Sequence, residues 1–144
     1  MKIYITSRFK GSSENKAEIE KLCSAVRDAG MEDFHFIRDI EHYQPTFFNN
    51  QKDLWSAALK HLIECDALLI DISNSPGGGR LVEVGMAYSL NKPIYVIVKN
   101  GVEYKDFYNG IATSILRYDE IGDITKQLKT SRNASTTPGQ TAHS

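Results

Sequence analysis

Residues 65–100 place the tightest constraint on the fold, because two short apolar runs enclose a glycine-rich loop and a helical pattern. The first run, residues 67–70, is too short for a helix and too continuously apolar for a strand with one exposed face. Residues 73–79 then include a proline and three glycines, which break regular structure. A helical pattern starts at about Arg80, and a second apolar run follows at residues 94–98. The segment therefore predicts a β-α-β unit whose strands are buried in a parallel sheet.

The same alternation of strands and helices runs along the rest of the chain. We expect strands at residues 2–6, 33–39, 67–70, 94–98 and 114–118, and helices at residues 14–29, 50–64, 80–91, 104–110 and 121–128. This order predicts an α/β fold, a single-domain, doubly wound parallel sheet of about five strands, Rossmann- or flavodoxin-like, with helices on both faces. We expect the domain to cover residues 1–129, and the polar residues 130–144 to form a disordered tail.

Composition narrows the class of partner. The formal net charge is −1, so the chain has no overall field to attract nucleic acid or an anionic membrane. No apolar run approaches the roughly 20 residues of a membrane span, and Met1 leads directly into a strand rather than a signal peptide. The histidines have no paired ligand spacing and the two cysteines are single. We therefore expect a cytoplasmic protein with no metal and no cofactor, and neither nucleic acid nor membrane as partner.

Glu83 is the unusual residue of the central segment. It lies in the first turn of the predicted helix, after a glycine-rich loop at the carboxyl end of a strand, where open α/β sheets bind ligands. The helical spacing predicts that its neighbours Leu81 and Tyr88 face the core, as Ile63 does in the preceding helix. Glu83 is either a site residue or a carboxylate that complements the helix dipole.

The glycine-rich loop is a candidate ligand loop, because glycines let the backbone approach a ligand and leave N–H groups free. Ser73, Gly77 and Gly79 are its candidate binding residues. The loop lacks the Lys-Ser/Thr pair of a phosphate-binding P-loop and the spacing of the dinucleotide fingerprint. A tight connection without a ligand is the alternative.

A second candidate loop follows the first strand, which is usually central in such a sheet. Tyr4 lies on that strand, and Ser7, Phe9, Lys10 and Gly11 belong to the polar turn after it. The turn should lie beside the glycine-rich loop at the same sheet edge, where a basic side chain and free N–H groups can hold a phosphate. Alternatively, Lys10 is a solvated side chain and Tyr4 a core residue.

Two aspartates are further candidates for acid–base chemistry. Asp71 ends its strand and faces the glycine-rich loop, whereas Asp66 opens the strand and fits a cap or turn. Asp53 lies in the first turn of a predicted helix, where the dipole alone explains a carboxylate.

Taken together, several stretches resemble the nucleoside 2-deoxyribosyltransferase family, and most nearly its 2′-deoxynucleoside 5′-phosphate N-hydrolase branch. The resemblance covers roughly residues 2–128 and is carried by Tyr4, SRFKGS, CDALLIDIS, the glycine-rich loop, LVEVGMAYSLNKPIYVIV and YNGI…RYDEI. It implies cleavage or exchange of the N-glycosidic bond of a (deoxy)nucleoside or its 5′-monophosphate. In this reading Glu83 is the nucleophile, Tyr4 orients it, and residues 7–11 bind phosphate.

The sequence departs from that branch at two positions. Ala58 stands where the branch has an aspartate that assists the leaving base, which leaves Asp53 or Asp71 as possible substitutes. Gly77 stands where a phosphate-contacting serine is expected. The resemblance also implies a homodimer or larger homo-oligomer in which a neighbouring subunit donates the segment around Asn109.

Two other functions remain open. Pro76-Gly77-Gly78 is similar to part of the loop of cytokinin-type phosphoribohydrolases, although the spacing to Glu83 is one residue short. A nucleotide-binding sensor that has the same fold and no catalysis is the second alternative.

Overall fold

The computed structural model describes residues 1–8, 15–44, 47–74 and 76–135 of the 144-residue chain. In chain order the elements are β1 (Lys2–Thr6), α1 (Lys16–Asp28), β2 (Glu32–His35), α2 (Phe36–Asp39), α3 (Gln51–Glu64), β3 (Ala67–Asp71), α4 (Gly78–Ser89), β4 (Ile94–Lys99), α5 (Phe107–Ile111), β5 (Ser114–Tyr118) and α6 (Gly122–Ser135). The five strands form one sheet in the order β2-β1-β3-β4-β5, and every pair is parallel. The predicted α/β class and doubly wound parallel sheet are confirmed.

The two faces of the sheet are covered by different helices. On one face, α1 and α6 pack their apolar side chains against Ile3, Ile5 and Leu69 of the strands. On the other face, α3 and α4 pack against Tyr4 and Ile70, and Tyr108 of α5 completes the layer. Because successive side chains of a strand point to opposite faces, odd-numbered positions of β1 belong to the first core and even-numbered positions to the second.

The strand order reverses direction at β1. The chain moves from β1 to its neighbour β2 on one side and then returns to β3 on the other. Helices on the two faces diverge at such a point, and the carboxyl ends of the two central strands border a crevice. Ser7 and Asp71 stand at these carboxyl ends, so the topology places the predicted site loops at the sheet's binding edge.

The predicted second strand is too long. Residues 36–39 form the short helix α2 instead, because the Asp39 carboxylate accepts a hydrogen bond from the His35 backbone N–H at 2.9 Å. Arg38 strengthens this turn through ion pairs of 2.8 Å with Asp33 and Asp39. Local side-chain hydrogen bonds of this kind compete with strand pairing. Here they stabilise a helical turn at residues whose alternating pattern predicted a strand.

Other boundaries and orientations also differ from expectation. Helix α6 continues to Ser135, past the predicted end of the domain at residue 129, and residues 136–144 lie outside the described part. Ile63, Leu81 and Tyr88 are exposed rather than inward-facing, and the inner face of α4 carries Glu83 instead. No helix in the described ranges has the length and apolar content needed to cross a membrane.

Candidate active site

Glu83 lies at the centre of the candidate site. It is buried on the inner face of α4, and its two carboxylate oxygens accept hydrogen bonds from different residues of β1. The Tyr4 hydroxyl donates to Oε2, and the Thr6 hydroxyl donates to Oε1 at 2.8 Å. The two donors are two residues apart on one strand, so the pleat directs both to the same face. This arrangement fixes the carboxylate at the carboxyl end of β1.

Burial and hydrogen bonding act in opposite directions on the acidity of Glu83. Removal from water disfavours the charged form and raises the pKa of Glu83 to about 7. The hydrogen bonds from Tyr4 and Thr6 and the nearby charge of Arg80 favour the carboxylate and limit that rise. Burial beside Glu83 raises the pKa of Tyr4, so the phenol keeps its proton and stays a donor. The site therefore holds a carboxylate that ionises near neutral pH.

A cavity of about 240 Å³ opens beside this carboxylate, and we call it the Glu83 cavity. Its polar lining includes Thr6, Ser7, His35, Glu41, Arg80 and Glu83. Its apolar lining includes Ile5, Phe36, Ile37, Leu54, Trp55 and Ala58. Mostly apolar walls with a few convergent polar groups are typical of small-ligand sites. The volume is below the usual range of about 300–1,000 Å³ for drug-sized ligands, which favours a small planar or sugar-sized group.

Ser7 and His35 form a buried pair in the wall of the Glu83 cavity. The Ser7 Oγ and the His35 Nε2 are 2.9 Å apart. Burial lowers the pKa of His35 to about 4, so the imidazole is neutral at physiological pH. The His35 Nδ1 is buried without a hydrogen-bond partner. The pair positions Ser7 at the end of β1 without adding positive charge.

A second cavity, of about 360 Å³, lies at the same sheet edge, and we call it the Asp71 cavity. It reaches the layer of α1 and α6 and is lined by the basic residues Arg8, Lys21, Arg80 and Lys99 together with Glu18, Asp71, Ser73 and Tyr118. Ser7 and Arg80 line both cavities. A ligand can therefore extend from a carboxylate on one side of β1 to a group of cations on the other.

The structure does not bring Asp71 to Glu83. Asp71 shares the sheet face of Leu69, and its carboxylate accepts hydrogen bonds from the Tyr118 hydroxyl at 2.8 Å and the Ser73 backbone N–H at 2.9 Å. The Ser73 hydroxyl also accepts from the Lys99 backbone N–H at 2.9 Å. Both predicted site residues thus fix the loop after β3 and line the Asp71 cavity.

The remaining predicted residues have varied positions. Asp53 is exposed, and its backbone N–H donates to the capping side chain of Asn50 at 2.8 Å, which makes it a helix-start residue outside the Glu83 cavity. Gly77 precedes α4, while Gly79 lines the Glu83 cavity beneath the Trp55 ring. Asn109 is exposed on α5 and is bonded to Tyr104 and Asp106.

Part of the predicted phosphate turn cannot be placed. Phe9, Lys10 and Gly11 lie outside the described residues. Ser7 is the one member of the predicted turn that the structure places in both cavities.

Several site residues were missed by the sequence analysis. Thr6 carried a usable signal, since it lies two residues after Tyr4 on the same strand. Arg80 follows the glycine-rich loop and was named only as the start of the helical pattern. Glu41 and Trp55 gave no such signal, because a loop and the packing of α3 bring them to the cavity.

This donor set presents the Glu83 carboxylate to the cavity. The described residues contain no group of three or more His, Cys, Asp or Glu side chains that could hold a metal ion. Glu83 is instead fixed by two hydroxyl donors and faces a cavity, which is the arrangement that covalent catalysis by a carboxylate needs.

Known structures with the same fold support the topology. The CMP N-glycosidase of Clostridium botulinum is 15% identical, with a TM-score of 0.66 over 91% of this chain and 99% of that one. A 2-deoxyribosyltransferase from Bacillus psychrosaccharolyticus is 20% identical, with a TM-score of 0.65 over 89% and 96%. A conserved protein from Enterococcus faecalis is 10% identical, with a TM-score of 0.72 over 91% and 98%. At these identities the likeness establishes the fold alone.

The sequence profile gives the family. No curated protein matches the sequence significantly. Residues 3–133, however, match the profile of the nucleoside 2-deoxyribosyltransferase family, which confirms the resemblance seen in the sequence and extends over nearly all described elements. The chain belongs to the nucleoside 2-deoxyribosyltransferase family, whose members are enzymes of N-glycosidic bond chemistry.

Proposed function

We propose that this protein cleaves the N-glycosidic bond of a (deoxy)nucleoside or its 5′-monophosphate, with Glu83 as the nucleophile. The observation that carries the proposal is the buried Glu83 carboxylate, held by Tyr4 and Thr6 at the edge of a cavity. Family membership supports the reaction class. The neighbour named a CMP N-glycosidase indicates that the same fold serves bond cleavage in a nucleotide.

The reaction follows the two-step logic of a retaining glycosidase. A Glu83 oxygen attacks C1′ of the sugar, a C–O bond forms, and the C–N bond to the base breaks with its electron pair going to the base. Water, or a second base, then attacks C1′ and releases Glu83. The Tyr4 and Thr6 hydrogen bonds hold the carboxylate in place for in-line attack.

A 5′-phosphate has a suitable place in the Asp71 cavity. Arg8, Lys21 and Lys99 line this cavity, and Arg80 lies between it and the Glu83 cavity. A sugar with C1′ at Glu83 can direct its 5′ substituent past Arg80 toward these cations. Phosphate oxygens gain charge-assisted hydrogen bonds there, which supports a monophosphate as the preferred substrate.

Water is the proposed acceptor, with base exchange as the competing outcome. The cationic Asp71 cavity favours phosphorylated substrates, and it is on this ground that hydrolysis is preferred over transfer. The two outcomes are distinguished by adding a free second base to the reaction. Faster appearance of the exchanged nucleoside than of free sugar would assign the protein as a transferase.

We also propose a homodimer formed through an apolar helical face. Helices α3 and α4 pack side by side, and their outer surface exposes Ile63, Leu81, Val82 and Tyr88 by 39–57%, with Phe107 of α5 at 48%. Exposed apolar residues on neighbouring helices are typical of interaction sites. A second copy bound there would bring Asn109, on the same side of the sheet, toward the neighbouring site.

The first prediction concerns the nucleophile. We expect Glu83→Gln to reduce base release by at least about a thousand-fold, because the amide cannot form the glycosyl ester. Chromatography of free base from a panel of nucleosides and 5′-monophosphates is the measurement. The control is Glu32→Gln, which makes the same change on an exposed side chain at the amino end of β2, away from the cavities. It should leave the rate unchanged. Undiminished release by Glu83→Gln would exclude this mechanism.

The second prediction concerns the pH dependence of catalysis. Because the pKa of Glu83 is about 7 and attack needs the ionised form, kcat/KM should rise as pH increases through that value. Tyr4→Phe removes a hydrogen bond that stabilises the carboxylate, so the midpoint should move to higher pH and kcat should fall. A midpoint that is the same in Tyr4→Phe as in the unaltered protein would argue against this coupling.

The third prediction concerns stability. The pKa of Glu83 is about 7 when folded, above its ordinary value of 4.5, so the native state holds this proton more tightly. The protonated Glu83 side chain therefore contributes fully to the free energy of unfolding below pH 4.5, and this contribution is lost as pH rises through about 7. We expect Glu83→Gln to raise Tm by about 5 °C near pH 8 and by less near pH 5, as measured by calorimetry. An equal effect at both pH values would contradict the assignment.

The fourth prediction concerns phosphate. Lys99→Gln removes one cation from the Asp71 cavity and should raise KM for a 5′-monophosphate about ten-fold while changing KM for the nucleoside little. Lys92→Gln, a lysine that precedes β4 at the opposite end of the sheet, is the matched control. Equal effects of Lys99→Gln on both substrates would contradict binding of the 5′-phosphate in the Asp71 cavity.

A further inference from the structure

Glu41 is a second buried carboxylate in the Glu83 cavity, and the mechanism above does not use it. Its side chain is only 9% exposed, and it lines the cavity together with Glu83. Among the described residues, none donates a hydrogen bond to either of its oxygens, whereas both oxygens of Glu83 are bonded. Its carboxylate oxygens are therefore available to accept hydrogen bonds from a ligand in the cavity.

The Glu83 cavity surrounds Glu41 with groups of mixed charge. The charged or titratable groups that face this cavity with it are Glu83, His35 and Arg80. His35 is neutral, because burial lowers its pKa to about 4. Burial also raises the pKa of Glu41, and the negative charge of Glu41 adds to the rise in the pKa of Glu83. A ligand group that donates hydrogen bonds to Glu41 would favour its carboxylate.

The backbone fixes Glu41 in place. Its N–H donates to the Phe36 carbonyl at 3.1 Å, and the next two residues, His42 and Tyr43, have φ angles of 51° and 61°. Two hydrogen bonds stabilise this left-handed turn. The Tyr43 N–H donates to the Ile37 carbonyl at 2.8 Å, and the Tyr43 hydroxyl donates to the Glu20 carboxylate at 2.6 Å. The carboxylate is thus presented from a defined turn.

The charges of the two cavities orient the substrate. The cations at Arg80 and beyond attract the phosphate side, and the Glu41 carboxylate repels it. With C1′ at Glu83, the base must therefore extend toward Glu41, between Trp55 and the apolar walls. The indole of Trp55 offers a flat apolar surface against which a base can pack.

We infer that Glu41 accepts a hydrogen bond from the exocyclic amino group of the leaving base. The inference rests on the proposed function and deepens it by naming the substrate class as nucleosides or nucleotides of amino-bearing bases, cytosine or adenine. A carboxylate accepts hydrogen bonds and donates none, so it pairs with an amino group and repels the carbonyl oxygen of uracil or hypoxanthine. Base identity is thereby set by one residue at the end of the cavity away from the phosphate.

Matched substrates test this on the unaltered protein. Cytosine and uracil 5′-monophosphates differ in the exocyclic group, amino against carbonyl, and in the proton on the adjacent ring nitrogen, as do those of adenine and hypoxanthine. We expect kcat/KM for base release to favour the amino-bearing member of at least one pair by about 10–100-fold. Equal rates within both pairs, or a preference for the carbonyl-bearing members, would overturn the inference.

Glu41→Gln is the second arm, because an amide both donates and accepts. It should reduce the amino-over-carbonyl ratio to about three-fold or less, mainly by improving the carbonyl-bearing substrate. Glu32→Gln is the control and should keep the ratio of the unaltered protein. A Glu41→Gln variant that loses activity equally on both members of a pair would contradict a role in base choice. Glu41→Asp, which keeps the acceptor, should preserve the direction of preference.

The two proposals fail differently. If no nucleoside or 5′-monophosphate of the panel releases base, the proposed glycosidic function fails. If base is released and the release disappears in Glu83→Gln, while the amino group has no effect on rate, the function stands and the role of Glu41 is wrong.

Discussion

The candidate site depends on a carboxylate placed where a carboxylate is costly. Glu83 lies on the inner face of α4, against a strand, and removal from water raises its pKa to about 7. The cost is tolerated because Tyr4 and Thr6 donate to its two oxygens from one strand. The packing of α4 on β1 therefore positions a reactive group as well as burying apolar surface. The apolar core on this face of the sheet includes Ile70 and Ala87. It holds α4 against β1, so that Glu83 stays opposite Tyr4 and Thr6.

The alternation of side chains along parallel strands divides the binding edge into two chemical regions. Even-numbered positions of β1 direct Tyr4 and Thr6 to the Glu83 cavity, while Asp71 of β3 points to the opposite face and bonds Tyr118. One region is mostly apolar with carboxylates, and the other carries most of the cations. Arg80 borders both, so a substrate with an uncharged end and an anionic end has one favourable orientation. The topology, with its reversal at β1, brings the two regions together at a single crevice.

The sequence predicted the fold well where apolar runs are continuous and poorly where local hydrogen bonds decide. The strands β1, β3, β4 and β5 were found within about one residue at each end, since burial on both faces leaves an unmistakable pattern. The predicted end of β2 was wrong, because the Asp39 carboxylate accepts a hydrogen bond from the His35 N–H and a helical turn starts there. Glu83 was predicted as a site residue from its place after the glycine-rich loop, and the structure places it at a cavity. Asp71 was assigned to the same site, although the period of two along β3 already directs it to the other face.

The part of α3 that lines the Glu83 cavity carries no acidic residue. Ala58 is buried in the wall of the Glu83 cavity, and its methyl group leaves this wall apolar. The second carboxylate of the cavity comes instead from Glu41, on the turn after α2. No periodicity marks such a residue, since its position depends on the helical turn at residues 36–39 and on two left-handed residues after it. A polar group carried by a turn can change identity without disturbing the packing of the sheet, so such a change leaves Glu83 and its two donors in place.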